Sequence, residues 1–529
     1  MTMAMSASLV YAANKALNFL EEPATAQTNP FWLRPLKRKF NLLEATIPEI
    51  QAALHFRLIT SKELVQLYLN RIEAYDKQGP NINAIRDLNP NALQLAEDLD
   101  RERPFKGYRG LLFGIPILLK DNIDTADEPT TAGSLALQGS IPPTDAFITK
   151  RLRAQGAIIL GKANLTEFAN FVSSQMPNGY SSLGGQVLNP YNPGQLDVGG
   201  SSSGPAAAVA ASLITVAIGT ETDGSILNPS NQNSLVGIKP TVGLVSRDGI
   251  IPIAHSQDTA GPIARNVTDA AILLSAITGV DPNDPATNAS QGKFSTDYTQ
   301  FLDPNGLQGA RIGIPRFYYQ QLSPEEDSLV EAAINKIRTL GAEIIDPTSI
   351  ATAQALESDG IDVLIYEFKH DLNAYLASLG ANAPVHSLAD IIAFNNAHPE
   401  QALKYGQDIL EQSEATSGTL TEPQYLQARA TDLQLAKTNG IDAVMAQFQL
   451  DALLFPEDYG ADIGARAGYP SVIVPAGYTK SGSPVGIAFL GTAFSESILI
   501  KFAYAYEQAT RLRRPPTSTP PLPGDVVPF

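Results

Sequence analysis

Between Leu111 and Leu160 the sequence runs apolar strand, amphipathic helix, apolar strand, and this order restricts the fold more than any other stretch. Leu111–Leu119 is apolar apart from one Gly and one Pro, Thr144–Gln155 carries Lys150, Arg151 and Arg153 on its wet side, and Ala157-Ile158-Ile159-Leu160 is a second short apolar run. Strands without polar alternation must be covered on both faces, and a helical crossover between two of them makes them parallel. An α/β organisation with at least one parallel pair follows. Lys120 falls at the carboxyl end of the first strand, where open α/β sheets place their ligands.

The rest of the chain extends this pattern. Thr60-Ser61-Lys62-Glu63 fits a capping box, and Leu64, Leu67, Tyr68, Ile72 and Tyr75 follow at helical spacing, predicting a helix over 61–77. Residues 173–204 are rich in Ser, Gly, Asn and Pro and read as a long functional loop, after which Pro205 suits the first position of a helix over 206–213. A polar turn, Thr220 to Ser225, comes next. Helices are expected at 268–278 and 496–512, a helix and strand within 325–345, and strands at 311–314, 450–455, 471–474 and 485–490. With 529 residues and 44% apolar content, the expected organisation is a leader or arm over 1–45, one large domain over 46–512 with a mostly helical side layer at 350–445, and an extended, mobile proline-rich tail over 513–529.

Composition removes several classes of function. The chain has 54 acidic and 37 basic residues, a net charge of -17, so phosphate backbones and anionic membranes are repelled and no nucleic-acid or membrane partner is expected. The basic runs Arg34–Lys39 and Arg511–Arg514 read as solvated charge. There are no cysteines, and the five histidines form no His-x-x-x-His pair, so no metal or cofactor is expected. The apolar stretch Ala206–Ile218 is shorter than the about 20 residues that cross a bilayer. No Lys or Arg precedes the weakly apolar Met3–Ala13 segment, as a secretory signal requires, and a cytoplasmic location is expected.

Three features carry chemistry: the isolated Lys120 after an apolar strand, the glycine-serine loop Gly199–Gly204, and the small-residue turn ending in Ser225. Around them stand Gly114-Ile115-Pro116, Lys120-Asp121-Asn122, Gly161 to Phe168, Gly199-Gly200-Ser201-Ser202-Ser203-Gly204, Asp223-Gly224-Ser225-Ile226, Gly237 to Thr241 and Asp258 to Pro262. This ordered series resembles the amidase signature family of serine hydrolases, and the Thr-Glu-Thr-Asp-Gly-Ser-Ile turn is most like its bacterial peptide amidase branch. The resemblance implies a large mixed, twisted β-sheet flanked by helices on both faces. It also implies Lys120 as base, Ser201 as a bridging serine held by a cis peptide bond, and Ser225 as the nucleophile that is acylated. The oxyanion would be held by backbone N–H groups of Thr222, Asp223, Gly224 and Ser225, with Ser202 and Thr220 as supporting hydrogen-bonders.

A serine hydroxyl needs a base, and a lysine is a base only when neutral, so Lys120 is expected deep among uncharged hydroxyls with Asp121 pointing away. Asp258 and Arg265 are expected to brace loops, and Lys162 and Lys239 to be structural. Glu221 and Asp223 lack further ligands for a metal. The implied substrate is a small amide or the C-terminal amide of a short peptide or amino acid, releasing ammonia, and the protein a monomer or homodimer. The alternatives are a broad-specificity aliphatic or aryl amidase, or the A subunit of a tRNA-dependent amidotransferase. Two departures from the family pattern bear on substrate: Asp223 replaces a glycine before the nucleophile, and Pro456–Gly468 is short where relatives carry a longer loop. Gly200–Gly204 also fits a G-x-S-x-G elbow centred on Ser202, but no buried strand precedes it. Ser290–Lys293, a Ser-x-x-Lys match, falls in a Pro/Asn-rich loop.

Overall fold

The computed structural model describes residues 39–106 and 109–528. Residues 1–38, with the Met3–Ala13 segment and most of the Arg34–Lys39 run, lie outside the described residues. Eleven strands form one sheet: β1 (Ile85–Leu88), β2 (Pro116–Lys120), β3 (Ile158–Ala163), β4 (Val216–Glu221), β5 (Val236–Lys239), β6 (Thr259–Ala264), β7 (Arg311–Pro315), β8 (Glu343–Thr348), β9 (Ala452–Pro456), β10 (Ser471–Tyr478) and β11 (Pro484–Leu490). Their spatial order is β8-β7-β9-β11-β10-β5-β6-β4-β2-β3-β1. The β3-β2-β4 trio is parallel, β8-β7-β9 is a second parallel trio, and the strands between them pair antiparallel. The sheet is therefore mixed, as expected, and the unit from Pro116 to Ala163 is the parallel crossover read from the sequence.

Helix α1 (Ser61–Arg71) opens on the anticipated capping box: Glu63 N donates to Thr60 Oγ1 at 3.1 Å, and Thr60 N to Glu63 Oε2 at 2.7 Å. The helix then widens into a π-helical turn over Ile72–Asp76. Helix α2 (Ser203–Ala210) starts three residues before its predicted position. Its early start follows from a close approach: a Cβ on Gly204 would meet Asn164 O at 2.2 Å and Ala84 O at 2.4 Å, so this turn is pressed against the chain just beyond β3 and only glycine fits. Pro205 sits in the first turn, where its missing N–H has no helical partner to lose.

Strand β4 is not apparent from the sequence, because its Val216–Ile218 half continues the apolar run of the preceding helix. The turn expected at Thr220 begins two residues later. Most side chains on both faces of the sheet join one apolar core. A second cluster joins Phe168, Phe171, Ile251 and Ile253 to Leu364, Phe368 and Leu372 of α3 (Asp362–Ser378), packing the helical layer against loops that connect the strands. Among the described residues no helix is long and apolar enough to cross a membrane.

The tail expected to be extended and mobile is instead locked down. Arg71 Nη1 lies 2.7 Å from Asp525 Oδ2 with both side chains buried, and the guanidinium also donates to Thr519 O at 3.1 Å and Pro520 O at 3.2 Å. Prolines supply carbonyl acceptors without N–H groups that would need partners, so a Pro-rich segment suits a buried cation. The described residues of the expected leader are also built in: Phe40 and Leu42 are buried, and Lys39–Asn41 pairs antiparallel with Val526–Pro528. Asp525→Ala should lower stability by about 3–5 kcal/mol, since it strands a buried guanidinium charge. Urea unfolding followed by circular dichroism measures this, and a loss below about 1 kcal/mol, as for an exposed pair, would contradict it.

Candidate active site

Lys120 is the last residue of β2, and its side chain is fully buried. Strand β4 runs beside it in parallel register, with Leu119 opposite Ile218, which brings Thr220 alongside the lysine. Lys120 Nζ donates to Thr220 Oγ1 at 2.9 Å, to Thr220 O at 3.2 Å and to Ser201 Oγ at 2.7 Å. Its shell is made of oxygens without formal charge. Burial brings its pKa down from the ordinary lysine range to about 7, against the opposing pull of Glu221 and Asp258. Asp121 turns away, as expected: Arg86 Nε lies 2.6 Å from its carboxylate, and Thr131 Oγ1 and Gly133 N donate to it.

Ser201 reaches the lysine from the glycine-serine loop, just ahead of α2. The Gly200–Ser201 peptide bond is cis. Gly200 N donates to Asn228 Oδ1 at 3.0 Å, and Ser201 O accepts from Thr166 N at 3.1 Å. Ser202 Oγ donates to Thr220 O at 3.1 Å and accepts from Thr220 N at 3.3 Å, so Ser202 and Thr220 brace each other beside the lysine. The rival reading of Ser202 as an elbow nucleophile fails here, because its hydroxyl is fully buried and taken up by strand β4.

Ser225 joins through the backbone, its O accepting from Ser202 N at 3.2 Å. Among the described residues its hydroxyl makes no hydrogen bond, and 7% of the residue's surface is accessible. Gly224 has φ of +73°, a left-handed conformation that glycine adopts without strain. The turn is held from both sides: Glu221 Oε2 accepts from Ile226 N at 2.7 Å and Leu227 N at 3.0 Å, and Thr222 Oγ1 donates to Asp258 Oδ1 at 2.5 Å. The N–H groups of Asp223 and Ser225 have no backbone acceptor among the described residues. Asp223 projects toward solvent in a cleft whose walls include Asp462, Arg466, Ile361 and Leu364.

Sequence reasoning misses two contributors. Asn122 belongs to the Lys120-Asp121-Asn122 motif with no role implied, and its Nδ2 donates to Thr220 Oγ1 at 3.0 Å. Glu221 reads from the sequence only as a metal ligand without companions, whereas it satisfies the N–H groups that open the helix Leu227–Gln232; its spacing matches no capping box, so no local signal marks it. The residues expected to be structural are so placed. Lys162 Nζ donates to Thr130 Oγ1 at 2.8 Å, Lys239 Nζ to Tyr469 O at 2.7 Å, and Arg265 to Ala45 O, Val209 O and Ile214 O. Ser290 Oγ donates to Thr287 O at 2.7 Å inside a 3-10 turn, and among the described residues Lys293 meets Ser290 only through its backbone N–H, which donates to Ser290 O at 2.8 Å. The structure brings together one cluster the sequence does not suggest, His255, Glu367 and Asp371. Protein groups hold all three: His255 Nδ1 lies 2.9 Å from Asp371 Oδ2, and Glu367 accepts from Tyr425 OH and Ser256 N.

The sequence matches the family described as Amidase over residues 63–500. The chain belongs to the amidase signature family. This member is 44% identical to a probable amidase of Arabidopsis thaliana, with 91% of the chain and 93% of the relative covered. It superposes on the peptide amidase of Stenotrophomonas maltophilia with a TM-score of 0.85 and 48% identity, over 89% of this chain and 98% of that one. It is also 34% identical to the A subunit of the glutamyl-tRNA(Gln) amidotransferase from a Cyanothece strain, over 88% of the chain and 98% of the relative.

Proposed function

We propose that the chain hydrolyses carboxylic amides through an acyl-enzyme on Ser225, and that its substrates are the C-terminal amides of peptides or amino acids. The observation that carries this reading is Lys120: a lysine with a pKa near 7, hydrogen-bonded to a serine hydroxyl and surrounded by uncharged oxygens. Neutral Lys120 takes a proton from Ser201 as Ser201 takes one from Ser225, and Ser225 Oγ bonds to the carbonyl carbon. The oxyanion is received by the N–H groups of the Thr222–Ser225 turn. The proton returns through Ser201 to the amide nitrogen, the C–N bond breaks, and ammonia leaves. Water then attacks the ester by the same relay and frees the acid. The open Ser225 hydroxyl fits this scheme, since catalytic hydrogen bonds often close only around substrate.

The higher identity to peptide amidase than to the amidotransferase relative favours a stand-alone hydrolase. Ammonia release from an amidated dipeptide, compared with acetamide and benzamide, tests the reading. The dipeptide should give the highest kcat/KM without any partner chain. A preference for acetamide would favour the broad-specificity alternative, and glutaminase activity only with partner subunits would favour the amidotransferase.

The pH dependence follows from the same lysine. Below about 7 Lys120 is protonated and cannot act as base, so kcat/KM should fall about tenfold per unit as pH drops from 7. Asp258, pushed up to about 6 by burial, protonates later and releases the Thr222 side of the turn, steepening the fall. A profile that stays flat from about pH 7 down to about pH 5 would overturn the assignment of Lys120.

A further inference from the structure

We infer that the cleft at Asp223 is a binding site for a single ammonium group, the free α-ammonium of a peptide amide, and that this enzyme therefore prefers substrates whose N-terminus is unblocked. The inference rests on the amide hydrolysis proposed above and names a substrate class for it. The cleft holds about 10 Å³, room for one group the size of a water molecule, so neither a side chain nor an acyl group enters it. What can enter is a small polar head.

The charge on the walls decides which head. Asp223, Asp432, Asp462 and Arg466 are the charged residues lining the cleft, three acids against one base. Arg466 has nothing left to give, although a guanidinium carries five N–H donors. Its Nε donates to Asp462 Oδ1 at 2.6 Å, its Nη1 to Asp359 Oδ2 at 3.0 Å and to Asp432 Oδ1, and its Nη2 to Asp359 O at 3.3 Å and Gly360 O at 3.1 Å. Asp432 is 1% exposed, yet its Oδ2 has no hydrogen-bond partner among the described residues. A buried carboxylate oxygen without a donor is costly. The Asp223 side chain likewise makes no hydrogen bond among the described residues. Desolvation in the cleft, with Asp462 and Glu221 close by, pushes its carboxyl up to about 8, and a cation reverses that pull. An ammonium brings three N–H donors and a positive charge in the volume of a water, which answers both carboxyl groups at once.

The site is also within reach of the reaction. Two residues of extended chain span at most about 7 Å. Asp223 stands two residues before Ser225, and the α-ammonium of a dipeptide amide stands two residues from the carbonyl that Ser225 attacks. The Asp223 N–H belongs to the turn proposed to receive the oxyanion. A bare carboxylate on the same residue opposes the negative charge that develops there, and an ammonium beside it removes the opposition.

The test uses one dipeptide amide in three forms: with a free N-terminus, N-acetylated, and N,N,N-trimethylated. The trimethylated form keeps the positive charge but is too large for the cleft and has no N–H to donate. At about pH 7, where an α-amino group is mostly protonated, wild type should hydrolyse the free form with a kcat/KM about tenfold or more above both others. In Asp223→Asn, with all three forms compared on the same protein, that preference should shrink to about twofold or less. Asp432→Asn, outside the oxyanion turn, should shrink it by about threefold or more, and it decides the question where Asp223→Asn is too slow to measure. Equal rates of wild type on the free and acetylated forms, or on the free and trimethylated forms, or a preference that both variants keep, would overturn the inference and leave amide hydrolysis standing. Equality of the free and trimethylated forms would assign the preference to the long-range field of a chain with a net charge of -17. Hydrolysis of none of the three by wild type would remove the hydrolase reading and the inference with it.

Discussion

Ser225→Ala should reduce kcat for an amidated dipeptide by about 10⁴-fold or more, with KM nearly unchanged. The proposed route forms its only covalent bond to substrate through this oxygen, and removal of a nucleophile from a cooperating set of residues costs on the order of 10⁴–10⁶ in rate. In the proposed route the oxyanion is held by the backbone turn, which alanine leaves intact, so binding should survive. Ser225 is nearly buried but makes no side-chain hydrogen bond among the described residues, and its loss leaves no polar group unsatisfied. Stability should therefore change little, which separates a chemical effect from misfolding. Single-turnover and steady-state ammonia release measure the loss. Retention of more than about a tenth of the activity would remove Ser225 as nucleophile.

Lys120→Met should reduce kcat by about 10³-fold, the middle of what a general base contributes. Methionine keeps most of the stem volume in a site with no accessible surface, but it leaves Ser201 Oγ without its lysine donor and Thr220 Oγ1 with Asn122 Nδ2 as its remaining donor. The more diagnostic readout is the pH profile. Whatever activity remains should lack the acid limb near 7, since the group that titrates there is gone. A residual activity that keeps the limb would assign it to another group, with Glu167, also pushed up to about 7 by burial, as the first to examine.

These two variants also separate the parts of the site by their origin in the sequence. Lys120 is legible because an isolated lysine ending an apolar strand is locally unusual, and Pro116–Lys120 is that strand. The Gly199–Gly204 and Thr220–Ser225 segments are legible as turns, because left-handed backbone at Gly199 and Gly224 is a demand that sequence meets with glycine. Less is visible of the strands. Val216–Glu221 merges with the apolar helix before it, and β5 and β6 are too short and too fully buried to show alternation. The tail misleads for a physical reason: proline content reports the absence of N–H donors, not the presence of a buried arginine elsewhere that needs carbonyl acceptors. Glu221 escapes notice because its partners are N–H groups presented by a turn whose shape is not local to the glutamate.

By itself, the amino-acid sequence determined the α/β class, the parallel crossover from Pro116 to Ala163, and the residues at which a lysine, a serine loop and a serine turn occur. Such features depend on backbone preferences and apolar periodicity within a few residues, so they are encoded where they act. Only the tertiary structure decided the strand order that sets β4 beside β2, and hence the meeting of Lys120 with Thr220 and Ser201. It alone decided that Asp121 turns to Arg86 and that burial brings the pKa of Lys120 down to about 7. The physical reason is that desolvation and hydrogen bonding at one atom sum over everything packed around it, and those neighbours come from segments remote in the chain.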